Sequence, residues 1–185
     1  MQNRSMDAIV EAALKKWPNV PHCYGWLALD ARGDWYMRDD RIQAAGPFPR
    51  VKGSRIEHDK LREFIARNYA CDESGSWFFQ NGPQRVYVEL EAAPWVWRLQ
   101  QDDPASGLAV TSHTGRTAVA AEAFIDESGR LLLATDLGLG LVHTLDMEVA
   151  ADAVEHGVLQ PVEVRFAALV ERFGYRLSPA AVRLA

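Results

Sequence analysis

Cysteine is scarce: Cys23 and Cys71 are the only two in 185 residues, too few and too far apart for a disulfide framework or a thiolate metal cluster. A pair of reduced thiols is the expectation. Long apolar runs are missing too, and without about 18 uncharged apolar residues in a row no helix spans a bilayer. The opening stretch MQNRSMDAIVEAALKKW has neither an uninterrupted apolar core nor a small-residue cleavage site, so no secretion signal is expected and the setting reads as cytoplasmic. Nor is there a basic excess: 20 Lys and Arg against 25 Asp and Glu leave a net charge of −5. That sign argues against a phosphate backbone or an anionic bilayer, so neither nucleic acid nor membrane is expected as a partner.

Familiar chemistry is equally thin. His22, His58, His113, His143 and His156 never fall at the spacings that set two ligands around one metal, so no metal is expected. Ser112 and His113 are adjacent, which in a strand sends them to opposite faces, and no G-x-S-x-G elbow exposes a serine. Gly138-Leu139-Gly140 has two of the three glycines of a dinucleotide turn but is flanked by strand signals. No catalytic residue and no cofactor is expected.

What the chain does have is a core. It is 48% hydrophobic and 24% charged, and at this length a globular chain buries roughly 70% of its unfolded surface without a metal or a disulfide. The densest aromatic stretch is SWFFQNGPQRVYVELEAAPWVWRL, residues 76–99. Trp77-Phe78-Phe79 runs into the turn dipeptide Asn81-Gly82, Val86, Val88 and Leu90 alternate with Tyr87, Glu89 and Glu91, and Trp95, Trp97 and Leu99 follow Pro94. The pattern predicts a three-strand antiparallel meander, dry on one side only. Tyr24–Leu29, Trp35–Met37, Leu108–Thr111, Ala118–Ile125, Leu131–Ala134 and Leu139–His143 read as further strands.

Helical spacing predicts helices near 6–17, capped by Ser5, near 58–70, near 147–156, capped by Asp146 and ended by Gly157, and near 162–173, with Pro161 in its first turn. The segment Asp39–Asp59 reads as a long loop, locally basic through Arg50, Lys52 and Arg55, and 175–185 as a tail without a motif. Asp30-x-x-Gly33, Asp72-x-x-Gly75 and Asp126-x-x-Gly129 each precede a strand, at unequal intervals of 42 and 54 residues, which favours shared turn chemistry over a true repeat. The expected fold is α+β: largely antiparallel sheets of hairpins and meanders, covered by about four amphipathic helices. Residues 1–185 read as one globular domain with a subdomain division at 101–107, an aromatic-rich half before it and β-hairpins followed by two helices after it.

The runs CYGWLALDARGDWYMRDD (23–40) and HDKLREFIARNYACDESGSWFFQNGPQRVYVELEAAPWVWRL (58–99) resemble a family of uncharacterised Gram-negative bacterial proteins, a domain of unknown function. The resemblance implies a bacterial cytosolic setting and no activity. Two functions remain open. One is a non-catalytic binding or interaction module, as a homodimer or with another protein, using an aromatic surface at Trp77, Phe79, Trp95 and Trp97. The other is a small-molecule binder or enzyme whose 39–59 loop closes over the row Arg85, Tyr87, Glu89 and Glu91, a row that could equally be the solvent side of a sheet.

Overall fold

The computed structural model describes residues 6–103 and 107–184. It divides into two compact units, the first made of 1–30, 34–91 and 175–185, the second of 31–33 and 92–174. The chain therefore leaves the first unit after Glu91 and returns at Tyr175. The stretch 101–107 runs from the end of one paired strand to the start of the next, and residues 104–106 lie outside the described residues.

The first unit is a six-stranded sheet. Its strands are β1 (Cys23–Leu29), β2 (Trp35–Met37), β3 (Ser54–Arg55), β4 (Tyr69–Cys71), β5 (Trp77–Asn81) and β6 (Gln84–Leu90), in the order β3-β2-β1-β6-β5-β4. Four of its helices are α1 (Ala8–Lys16), α2 (Asp40–Ala45), α3 (Asp59–Arg67) and, from the returning tail, α6 (Pro179–Leu184). Helix α3 starts where His58 Nδ1 accepts from the Leu61 N–H, and its Phe64 packs edge-on against Phe79 at 5.4 Å. Trp35, Tyr69 and Trp77 extend that aromatic layer. The cap expected at Ser5 lies outside the described residues; Asp7 precedes α1, and its carboxylate meets Arg67 and Asn68.

The second unit is a seven-stranded sheet. It contains β7 (Trp95–Asp103), β8 (Gly107–Ser112), β9 (Thr117–Ala118), β10 (Ala120–Ile125), β11 (Leu131–Thr135), β12 (Gly138–Val142) and β13 (Pro161–Glu163), in the order β13-β10-β11-β12-β7-β8-β9. Only Val119 separates β9 from β10, although β9 ends the pairing order and β10 stands second from its other end, so the sheet curls back on itself. Helices α4 (Met147–Glu155) and α5 (Phe166–Phe173) belong to this unit. Asp146 precedes α4, but its carboxylate turns away from the helix to a bidentate pair with Arg98 and to the Leu99 N–H, so it anchors the helix start to β7 rather than capping it. Those bonds, led by Arg98, hold its carboxyl below the usual carboxylate range.

The two sheets share one topology. In each, two three-stranded antiparallel meanders are joined by a parallel pairing of the first strand with the sixth: β1 with β6, and β7 with β12. The second meanders superpose residue for residue at an offset of 54. Phe78 faces Tyr87 as Leu132 faces Leu141, and Cys71 faces Trp77 as Ile125 faces Leu131. The tetrapeptide Asp-Glu-Ser-Gly joins the first strand to the second in both, at 72 and at 126. In each turn the Asp carboxylate accepts from two backbone N–H groups, and the Gly takes a left-handed φ, 82° at Gly75 and 75° at Gly129. Of the two intervals noted above, 54 thus marks a repeated supersecondary unit. A fourth turn of the same build is closed by the hydroxyl of Ser112, which accepts from the Thr114 and Arg116 N–H groups.

Several expectations need correction. The sheets are largely but not purely antiparallel: β1 takes the place beside β6 that the meander reading gave to β7, and β12 beside β7 and β13 beside β10 also pair in parallel. The break at Ala92-Ala93-Pro94 carries β7 into the other sheet. Among the described residues there are six α-helices, not four. Residues 39–59 are not a bare loop: Asp39 caps α2 by accepting from the Ile42 N–H, and β3 pairs with β2. Pro161 opens β13 at a sheet edge, where a missing N–H costs little, and not a helix.

Candidate functional site

Strand periodicity does place Arg85, Tyr87 and Glu89 on one face of β6, with Glu91 just beyond its end. That face is not wet. Tyr87 is 4% exposed, beneath the stacked ring of Tyr24, and Glu89 is 6% exposed, where the C-terminal tail meets it. The Leu90 N–H donates to Leu177 O at 2.8 Å, and the Ala180 N–H donates to Glu89 Oε1 at 3.1 Å. Burial pushes the Glu89 carboxyl up, against the downward pull of the Ser178 hydroxyl, the Ala180 N–H and the charge of Arg38. Glu91 meets Lys52 Nζ at 3.5 Å, and the same ammonium lies 2.9 Å from Asp30 Oδ2. Burial lowers the Lys52 pKa, but the Asp30 carboxylate, aided by Glu91, more than offsets it and the net shift is upward.

The 39–59 segment is thus tied to this end of the row by the chain's own cations. Arg38, 4% exposed, donates from Nε to Val51 O and from Nη2 to Gly46 O. Lys52 joins that segment to Asp30 and to Glu91 at the end of the row. At the other end, Tyr87 donates its hydroxyl to Asp72 Oδ2 at 2.9 Å, and its ring stacks on Tyr24 at 4.6 Å. Burial would raise the Asp72 carboxyl, yet bonds from Ser74, Tyr87 and the turn N–H groups take it below its ordinary value.

The four rings expected to form an aromatic surface are divided between the units and are mostly core. Trp95 and Trp97, 2% and 0% exposed, belong to β7 and stack at 5.9 Å, donating from Nε1 to Leu137 O and Leu133 O. Phe79 is buried beneath α3, and Trp77 is half-buried against Tyr69. Alternation on its own could not tell a strand covered on both faces from one covered on a single face.

A concave feature lies elsewhere, wholly in the second unit. A half-open groove of about 490 Å3 runs between the β9–β10 strand and residues 158–162. Leu108, Ala118, Ala121, Ala123 and Phe124 line it together with Val119, Val158 and Val162, which are 69%, 51% and 62% exposed. Glu122 is neutralised by Arg172. Sequence reasoning took 118–125 as an ordinary strand. The signal it passed over is the run Ala-Val-Ala-Ala-Glu-Ala at 118–123, small side chains where a strand favours β-branched and aromatic ones. Among the described residues no group of three His, Cys, Asp or Glu is placed to hold a metal, and no helix is long and apolar enough to cross a membrane.

Comparison with known proteins follows this geometry. The family described as "Protein of unknown function (DUF2946)" matches residues 6–180. No curated protein matches. A crystal structure of a DUF1285 family protein from Silicibacter pomeroyi DSS-3 is similar in fold, with a TM-score of 0.50 and 15% identity over 80% of this chain and 85% of that one. A second, from Shewanella baltica OS155, has a TM-score of 0.45 and 17% identity over 73% and 97%.

Proposed function

The chain belongs to that family of unknown function, and from this premise we propose that it is a non-catalytic binding module whose second unit takes up a compact aliphatic group in the alanine-lined groove. The observation that carries the reading is the groove itself: a half-open concavity in the size range of small-ligand sites, lined by alanines and exposed valines beside the polar Glu122 and Gln160. The match across 6–180 spans both compact units, which supports treating residues 1–185 as one working module. A cytoplasmic bacterial setting fits two free cysteines, Cys23 and Cys71.

The test is a titration of isotope-labelled protein with octanol. Saturable shifts confined to the amides of 118–124 and 158–162, abolished by Ala121→Trp, are expected; shifts scattered over the surface, or none, would remove the reading. A second reading, a homodimer that buries Val119, Val158 and Val162, is favoured by the exposure of those side chains. Sedimentation velocity separates the two, since only the dimer gives a mass that rises with concentration.

A further inference from the structure

The groove lies where the second sheet leaves part of a strand unpaired. Strands β9 and β10 run on through Val119, with β11 along one side of β10 and β13 along the other. Leu108 of β8 and residues 158–160, which lead into β13, line the same groove, so β8 stands on the β13 side. There β8 pairs with Thr117 and Ala118, and β13 with Ala123, Phe124 and Ile125. Between those stretches Val119–Glu122 has no partner strand on that side among the described residues. The β8–β9 register, carried on, would set Leu108 opposite Ala120 and Gly107 opposite Ala121, and neither pair forms. Pro161 begins β13 and has no N–H with which to extend the ladder back along β10.

The groove therefore presents main chain as well as side chains. Every residue from Ala118 to Phe124 lines it, whereas a sheet face would contribute alternate residues. Val119 donates its N–H to Asp136 Oδ1 at 2.8 Å and accepts from the Asp136 N–H at 3.2 Å, so both its groups point to the end of β11. Strand alternation then turns the N–H and C=O of Ala120 the other way, to the groove. Four positions span about 13 Å at roughly 3.3 Å per residue. A bare edge that short, set between two paired stretches, admits a single extended chain and not the sheet of a second folded copy. Charge narrows the choice: the second unit holds six arginines and no lysine against twelve Asp and Glu, so the acidic excess of the chain lies there. We propose that the groove takes a basic, extended segment of another protein as an added strand, with its main chain paired to Ala120–Glu122 and its small aliphatic side chains against the alanines. This rests on the reading of the groove as a binding site, and makes the aliphatic group a side chain of that segment.

The probe is the peptide acetyl-Lys-Val-Ala-Val-Lys-amide, titrated into the full chain and followed by amide shifts and hydrogen exchange. Saturable shifts at 107–109, 118–124 and 158–162 are expected, with exchange of the Ala120 N–H slowed about tenfold at saturation. Methyl groups on two adjacent backbone nitrogens of the peptide remove a donor from each of its edges and keep every side chain; they should weaken binding about tenfold. Glutamates in place of the two lysines should weaken it by a similar factor. Equal binding of the methylated or the acidic peptide, no saturation, or a doubled mass with the same amides shifting in the absence of peptide would overturn the proposal. Octanol has no main chain. Groove shifts with octanol and none with the peptide would overturn this proposal and leave the aliphatic site standing, and the opposite pattern would do the reverse.

Discussion

Acidification should unsettle this protein well before its carboxylates begin to protonate, through His113. Its Nδ1 accepts from the Val96 N–H at 3.2 Å, its ring lies 5.8 Å from Trp95, and its Nε2 is shut off from water. Burial takes the ring's pKa from 6.5 to about 3. Between these values the unfolded chain holds a proton that the folded chain refuses, so the contribution of His113 is intact above the unfolded value. It declines as pH falls from 6.5 towards 3, at about 1.4 kcal/mol per pH unit. At about pH 5 the loss is about 2 kcal/mol. Urea denaturation at a series of pH values measures it. His113→Phe keeps a ring and cannot titrate, so it should be less stable than the wild type near neutrality by about 1–2 kcal/mol, for want of an acceptor for Val96, yet show a flatter pH dependence. If the two curves run parallel between about pH 7 and pH 5, the neutral buried imidazole is the wrong account.

Two further outcomes follow from packing and from the tail. At Gly140 an added Cβ would stand 2.3 Å from Trp97 Nε1 and 2.8 Å from Trp95 Cβ, so Gly140→Ala should cost about 1–3 kcal/mol in chemical denaturation and redshift the tryptophan emission. Burial raises the folded pKa of Glu89, so its stabilising contribution is full below 4.5 and fades as pH rises through the folded value. Glu89→Gln should flatten that part of the profile, whereas Glu89→Ala should speed hydrogen exchange at Ala180–Leu184 by about tenfold, the loss of roughly one charge-assisted bond.

Local chemistry was well marked in the sequence. The turns at Asp30, Asp72 and Asp126, the β1–β2 and β5–β6 hairpins, and helices α1, α3 and α4 all rest on interactions within a few residues, and the pattern is enough to place them. What escaped depends on distant partners. The parallel seats of β1 beside β6 and of β12 beside β7 leave no trace in alternation, since Val86, Val88 and Leu90 look the same whichever neighbour they acquire. The row Arg85–Glu91 was visible as a row, but its cover comes from residues 177–184, about 90 positions away, where six residues of helix carry too short a pattern to announce themselves. The groove went unseen because it is defined by what its alanines omit.

The return of residues 175–184 to the first unit sets an order of events during synthesis. A nascent chain emerges from its N-terminus, and domains settle as their parts become available. All seven strands of the later sheet are out before Tyr175 appears, whereas Glu89 and Leu90 wait for Ala180 and Leu177. The half of the molecule made first is therefore the last to be finished, and until residues 177–180 have been made Glu89 and Leu90 lack the partners that cover them.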